Sequence, residues 1–289
     1  MDYALHLAII TCIYIILSVS LDLIAGYTGI LSLAHAAFYG IGAYTTALVA
    51  VHLRLPFVWC LAVSLVAAMA LGGIVSAPAL RIRGDYLVIA TFGFQVIFYH
   101  ALSNWTDFTG GPMGVFGIPQ PTVLGYTVTS RSGFLLLTVW LTGICVWACR
   151  RLAKAPFGRV LQGIREDEIF TLALGKSIST YKVKVTVIGA VMAAVAGALY
   201  ASYISFIDPT SFSIMESILI LAIVIIGGAG TIWGPALGAC LLVTVPELLR
   251  FIGIPAAIAP NLRQILYGGL LMGFAIWRPQ GLLGRYAFR

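Results

Sequence analysis

Long apolar runs dominate this chain. Bounded by charges, glycine and proline, they predict nine apolar helices, at about residues 3–24, 30–51, 57–79, 86–103, 132–149, 183–205, 214–227, 234–249 and 262–277. A membrane-spanning helix needs about 20 apolar residues, and the lipid core offers no water to backbone amides. The pattern therefore predicts an all-α, polytopic transmembrane helix bundle of eight to ten spans, in which runs of 14 to 17 residues are broken or re-entrant.

Composition strengthens the membrane prediction. Hydrophobic residues make up 61% of the 289 residues and charged residues 9%, a balance far from that of a soluble domain. We expect one transmembrane domain over residues 1–289. The first Lys or Arg is Arg54, so the first apolar run has no basic leader and is expected to be a retained helix.

The basic residues predict an orientation. Thirteen of the 17 lie in three groups, at Arg81 and Arg83, from Arg150 to Lys184, and from Arg278 to Arg289. Alternating spans place all three groups on one side, which the positive-inside rule makes cytoplasmic. The C-terminus is then cytoplasmic, the N-terminus outside, and the chain sits in a bacterial inner membrane. Cations confined between apolar runs also argue against nucleic-acid binding.

Two polar segments interrupt the runs, an outer loop at about residues 104–131 and an inner loop at about 150–182. The inner loop predicts a short helix, a turn and a second short helix with an acidic start, an apolar face and a glycine stop. The acidic start argues against a helix lying on lipid headgroups and favours docking to a soluble partner. Those residues are Glu166, Asp167, Glu168, Ile169, Leu172, Ala173 and Gly175.

Two stripes of small residues predict close helix packing, which in lipid replaces the hydrophobic effect as the cause of association. They favour packing inside the bundle over a subunit interface. The first stripe is Gly189, Ala193, Gly197 and Ala201, and the second is Ala36, Gly40, Ala43, Ala47 and Ala50.

The sequence shows few residue patterns typical of catalysis or metal binding. The four histidines and five cysteines are scattered without a metal-binding or catalytic pattern, so neither a metal site nor an enzyme is expected. The chain also has no GxxxxGK[ST] phosphate loop, so it is expected to bind no cofactor itself, and any energy it uses is expected to arrive through the inner loop.

Six blocks of sequence resemble one family over nearly the whole chain. They are GYTGILSLAHAAFYGIGAY (26–44), RIRGDYLVIATFGF (81–94), TGGPMGVFGIP (109–119), GRVLQGIREDEIFTLALG (158–175), GGAGTIWGPALGA (227–239) and RPQGLLGR (278–285). In this order they are similar to LivM-type permeases of branched-chain amino acid ABC transporters.

The resemblance implies a permease subunit of an ATP-binding-cassette importer working by alternating access. Its implied partners are a LivH-type paralogous permease, two cytoplasmic ATPases of the LivG and LivF type that use ATP and Mg²⁺, and a periplasmic substrate-binding protein. The inner loop matches the family's ATPase-coupling loop. The candidate coupling residues are therefore Arg165, Glu166, Asp167, Glu168, Ile169, Leu172, Ala173 and Gly175.

Polar groups within apolar runs are costly in lipid and need an explanation. Asp22 is expected where a helix breaks at Gly26 and Gly29, and the 227–231 glycine segment as a tight inner turn with exposed amides. Glu216 and Glu247 are expected near span ends, in contact with interfacial water. The candidate pathway or gate residues are Asp22, Tyr27, Ser32, His35, Gly227 and Gly228.

Several alternatives stay open. Branched-chain or other hydrophobic amino acids are the expected cargo, and the same machine could carry urea, short amides or aromatic acids. A stand-alone secondary transporter or channel is less favoured, because intramembrane acids with basic partners are not apparent.

Overall fold

Helices account for most of the structure, a computed structural model that describes residues 2–76, 85–123, 126–248, 259–278 and 280–284. Each of the nine predicted apolar runs corresponds to a helix. Arg81, Arg83, Arg285, Arg289 and the side chain of Glu247 lie outside the described part. The helices are α1 Asp2–Thr28, α2 His35–Leu48, α3 Phe57–Ser76, α4 Asp85–Asn104, α5 Thr106–Thr109, α6 Arg131–Lys154, α7 Pro156–Glu166, α8 Glu168–Ala173, α9 Ile178–Ile204, α10 Ile214–Gly227, α11 Trp233–Leu248 and α12 Ala259–Trp277.

Six of the described helices are long and apolar enough to cross a membrane, fewer than the eight to ten spans predicted. They are Tyr3–Thr28, His35–Leu53, Phe57–Ser76, Tyr86–Asn104, Arg131–Lys154 and Ile178–Ile204, the second including a π-helical turn at Val49–Leu53. Three shorter apolar helices, Ile214–Gly227, Trp233–Val245 and Gln264–Phe274, match the short runs predicted from the sequence.

The shortness of α10 reflects where it begins. A 27-residue helix such as α1 is about 40 Å long, which places Tyr14 near its midpoint. The Tyr14 hydroxyl donates to Glu216 Oε1 at 2.7 Å, and Glu216 lies in the first turn of α10. Helix α10 therefore begins at mid-depth and runs beside α1 toward the end of the bundle that carries α7 and α8, here called the coupling end.

Helix α2 also begins inside the bundle, and the predicted span 30–51 is wrong at its start. Gly29 adopts a left-handed φ of 74°, and the chain then returns between the helices without helical structure until His35. Hydroxyls satisfy the amides there: Leu33 N–H donates to Thr91 Oγ1 at 3.2 Å and Ala36 N–H to Ser217 Oγ at 3.0 Å. Irregular backbone at membrane depth is tolerated because protein covers it.

The two small-residue stripes pack against each other, as internal packing predicts. Helix α9 lies against α1, α2 and α3. A Cβ added to Gly197 would lie 2.6 Å from Ala43 N, and one added to Gly189 would lie 2.5 Å from the Ile24 side chain. Glycine at position 197 is thus required for the close approach of the α9 and α2 backbones, while Gly189 makes room for the Ile24 side chain of α1.

The outer loop is more ordered than an all-α prediction implies. Strand β1 (Val115–Phe116) pairs antiparallel with β4 (Phe206–Ile207), and β2 (Thr122–Val123) pairs with β3 (Tyr126–Thr127). Gly114 has a φ of 73°, and a Cβ there would lie 3.0 Å from the Cα of Asp208. These pairs fold the loop onto the end of the bundle opposite α7, here called the far end.

We predict that Gly197→Ala destabilises the protein strongly, because the added methyl would enter the backbone of α2. Overpacking a core costs about 1–3 kcal/mol and more where backbone must move. Gly143→Ala is the matched control, since it lies inside α6 with no atom within 4 Å of the added Cβ. Thermal unfolding in detergent should show a lower transition temperature for Gly197→Ala alone, and equal transitions would contradict this packing.

Candidate coupling site

Helix α7 is held on the bundle by one apolar face. Pro156 begins the helix, where its missing N–H costs no hydrogen bond. Leu161 and Ile164 are fully buried, and α7 lies against α1, α6 and α9. The first piece of the predicted inner loop is therefore a docked helix with a fixed position.

Helix α8 follows after one residue, as the sequence predicts. The Asp167 carboxylate caps it, accepting from Ile169 N–H at 2.8 Å and Phe170 N–H at 3.0 Å, and Gly175 ends the segment with a φ of 75°. Glu168 pairs with Lys182 of α9 at 2.5 Å. Asp167 thus lies at the predicted acidic start of the helix, and the ion pair of Glu168 with Lys182 is a contact that the sequence did not predict.

The apolar side chains of α8 point away from the bundle. Ile169 is 75% exposed, Phe170 62% and Leu174 63%, while Thr171 is buried on the opposite face. Leu172 and Ala173 are also exposed, so the predicted apolar face exists and is uncovered in the isolated chain. Phe170 and Leu174 were missing from the prediction, although their i, i+4 spacing on a short helix is a usable signal.

Arg165 turns in the opposite direction, toward α1. Its Nη1 donates to the carbonyl oxygen of Gly26 and lies 3.4 Å from that of Ala25. These carbonyls belong to the last turn of α1, which carries partial negative charge and lacks some helical partners. Gly29 leaves space for the arginine, since a Cβ there would lie 3.2 Å from Arg165 Cγ. Arg165 therefore fastens α7 to the end of α1.

Asp22 joins a second element to α1, and the predicted helix break beside it lies at Gly29 and not at Gly26. The helix continues through Gly26 to Thr28. Asp22 is 1% exposed, and its Oδ1 accepts from the Gly230 N–H at 2.8 Å. A Cβ on Gly26 would lie 2.6 Å from that amide nitrogen, so the glycine permits the approach.

The glycine segment after α10 is buried, which contradicts the prediction of exposed amides. Gly227 and Gly228 are both buried. The carbonyls of Ile226 and Gly227 accept from the amides of Leu282 and Leu283 at 2.9 and 3.0 Å. The amides of the turn are occupied as well, because Gly228 N–H donates to the Val224 carbonyl and Gly230 N–H to Asp22.

One face of α1 therefore binds the turn between α10 and α11 at two points. Ser18, one helical turn before Asp22, donates to the Pro235 carbonyl at 3.1 Å, while Asp22 accepts from Gly230. Together with Arg165, these contacts join α7, α1, the α10–α11 turn and the turn at residues 280–283, here called the C-terminal turn. This set, called the coupling junction below, is Ser18, Asp22, Gly26, Arg165, Gly227, Gly228, Gly230, Leu282 and Leu283.

His35 lies apart from the coupling junction as a packing element. Ser20 Oγ donates to the Leu17 carbonyl and lies 2.8 Å from His35 Nε2. Because the hydroxyl has one hydrogen, Nε2 donates to Ser20, which leaves Nδ1 as the acceptor. The ring is fully buried with an edge contact to Phe38.

The other predicted pathway residues are buried too. Ser32 accepts from the Ala34 N–H at 3.4 Å within the non-helical return, and Tyr27 lies in the cluster between α1 and α7. The expectation that Glu216 meets interfacial water is wrong, since it lies at mid-depth and binds Tyr14. Asp22, Gly227 and Gly228 are the members of the predicted set that the fold brings together.

A comparison with protein families decides what kind of chain this is. The profile described as "Branched-chain amino acid transport system / permease component" matches residues 3–275. The chain belongs to this family. It is a multi-pass membrane permease component, and its relatives are transport subunits and not enzymes.

Relatives include both members of one permease pair. The permease is 38% identical to the high-affinity branched-chain amino acid permease protein LivM of Escherichia coli over 300 residues, which cover 96% of this chain and 69% of LivM. It is 24% identical to LivH of the same organism over 294 residues, covering 94% and 91%. It is also 28% identical to the autoinducer 2 import permease LsrC of Enterobacter sp. over 222 residues, covering 72% and 62%. No solved structure matches the permease.

We predict that Asp22→Ala destabilises the permease and that Asp22→Asn does so much less. Alanine leaves the buried Gly230 amide without an acceptor, which costs about 1–3 kcal/mol, whereas asparagine keeps an oxygen there. Thermal unfolding in detergent distinguishes the two variants. Equal transition temperatures for both would contradict the role assigned to the Asp22 oxygen.

Proposed function

We propose that this permease translocates branched-chain or other hydrophobic amino acids across the inner membrane, driven by ATP hydrolysis in separate subunits. The observation that carries the proposal is that the α7–α8 segment has an exposed apolar side and an opposite side bound to α1. Its outer side exposes Ile169, Phe170 and Leu174, and its inner side fastens to α1 through Arg165.

The outer side has the properties of a protein docking surface. The exposed Phe170 and Ile169 on α8 and Leu174 directly after it would be more stable in an apolar pocket on a soluble partner than in water. The Asp167 cap and the Glu168–Lys182 pair hold these side chains in position. The proposed partners at this surface are ATPases of the LivG and LivF type, which supply the ATP and Mg²⁺ chemistry.

The inner side provides a route for force into the membrane. A push on α7 acts on the end of α1 through Arg165, and α1 holds the α10–α11 turn through Ser18 and Asp22. We propose that closure of the ATPases moves these elements as a unit against a LivH-type partner permease. Alternation of that movement would open a central path first to one side and then to the other.

The coupling end is cytoplasmic in this proposal and the far end is periplasmic. The cations of the coupling end support this orientation, since positive residues are retained on the cytoplasmic side. The C-terminus is then cytoplasmic and the N-terminus periplasmic. The folded loop at the far end would receive the substrate-binding protein, and the chain would bind no cofactor itself.

The amino-acid assignment follows the names of the LivM and LivH relatives. The alternative cargo is urea, short amides or aromatic acids. The relative LsrC, a permease of an autoinducer 2 import system, shows that similar chains are associated with other solutes.

The proposal is tested by ATP hydrolysis of the permease co-purified in lipid with its neighbouring permease and ATPases. We expect stimulation by binding protein loaded with leucine, and none by the same protein loaded with urea or benzoate. Because hydrolysis requires every subunit, stable assembly without stimulation by any loaded form would refute the amino-acid cargo. Failure of the subunits to assemble would refute the importer.

We predict that Phe170→Ser releases the ATPases. The side chain is 62% exposed in α8, so its loss leaves the permease fold intact while removing about 2 kcal/mol or more of apolar contact. Met113→Ser is the control, because Met113 is 74% exposed at the far end. Pull-down of the ATPases with tagged permease should fall for Phe170→Ser alone, and equal recovery would contradict docking through α8.

A further inference from the structure

Glu216 is an acid at the middle of the membrane that the coupling junction does not use. Its Oε1 accepts from the Tyr14 hydroxyl at 2.7 Å. Within the described part of the chain, no lysine or arginine forms an ion pair with it. The residue as a whole is half-buried, so part of its surface is left uncovered by the chain.

Such a carboxylate is unstable against lipid. Ionisable groups at membrane depth face the bundle interior or a water-filled path, and they pair with charge of the opposite sign. Glu216 lies beside the midpoint of α1, in the first turn of α10, at the point where the short helix begins. The exposed part of Glu216 would therefore face a polar path and not lipid, because contact of the carboxylate with lipid would cost several kcal/mol.

Tyrosines surround the same carboxylate. Tyr14 of α1 binds it directly, and Tyr39 of α2 and Tyr200 of α9 lie within electrostatic range of it. The rings of Tyr39 and Tyr200 are 5.5 Å apart, and both pack on Phe212. Four different elements thus bring aromatic rings and one negative charge to a single place.

This combination recognises a specific kind of cation. Aromatic faces attract organic ammonium groups through their negative quadrupole, and a carboxylate accepts charge-assisted hydrogen bonds from the same group. A hard metal ion prefers six or more oxygen ligands, and the described residues hold no cluster of three metal-ligating side chains. An ammonium group needs fewer oxygens and gains from the rings.

We propose that Glu216, with Tyr14 and Tyr200 as its partly exposed aromatic neighbours and Tyr39 packed behind Tyr200, binds the α-ammonium group of an amino acid during its passage through the membrane. The inference rests on the proposed function, because it needs a cargo that carries an ammonium group. It adds a contact site inside the permease, so selection for amino acids does not rest with the binding protein alone. Urea and benzoate carry no such group and gain nothing from Glu216.

The test uses the complete transporter in proteoliposomes, with leucine uptake and ATP hydrolysis measured in the same vesicles. In Glu216→Gln the amide oxygen still accepts from Tyr14, so the fold and stimulated ATP hydrolysis should stay within about twofold of wild type. Leucine uptake should fall about tenfold or more, the effect of losing one charge-assisted hydrogen bond. Glu216→Asp keeps the charge and should retain more uptake than Glu216→Gln.

Gly143→Ala is the control for a substitution within a span, since no atom lies within 4 Å of the added Cβ in α6, and it should leave both rates unchanged. Full leucine uptake in Glu216→Gln would overturn the inference and leave the proposed function standing. Parallel loss of uptake and hydrolysis would overturn it too, because that result means a general structural defect. If the wild-type complex imports urea and no amino acid, both the proposed cargo and this site are refuted. Uptake by the wild-type complex alone distinguishes this outcome from the others.

Discussion

The guanidinium of Arg165 against the last carbonyls of α1 is the contact on which the arrangement depends. It places a cation at the negative end of a long helix dipole and satisfies a carbonyl that the helix itself cannot. Without it, α7 would lose this polar link to the end of α1 and keep the apolar packing of Leu161 and Ile164. With it, a loop outside the membrane is joined to a helix that crosses the whole bundle.

The remaining polar contacts extend this link inward. In lipid the burial of leucine drives no helix association, so position is set by small residues and by hydrogen bonds. Ser18 and Asp22 hold the α10–α11 turn, and the carbonyls of that turn hold the C-terminal turn. Both α2 and α10 begin inside the bundle, so polar backbone and Glu216 lie close together there. In the proposed mechanism the same arrangement would transmit the movement of the ATPases and line a polar path for the solute.

Local patterns in the sequence predicted what depends on neighbours along the chain. The apolar runs predicted the helices, and the acidic start and Gly175 predicted α8. Contacts between remote segments were beyond such patterns: Asp22 meets Gly230 and Tyr14 meets Glu216, each across about 200 residues. For that reason the sequence placed Glu216 at a span end and treated the glycine turn as exposed. The return before α2 was missed because Thr91 and Ser217, which satisfy its amides, lie in other helices.

The central claim is that the coupling loop and the junction move as one body. It is tested most directly by spin-label distances between Lys176, after α8, and Leu283, in the C-terminal turn, in a variant lacking the five native cysteines. The complex is measured without nucleotide and with ATP trapped in hydrolysis-deficient ATPases. We predict the same Lys176–Leu283 distance distribution in both states. A shift of that distance between the states would contradict the account, since the loop would then move independently of the junction.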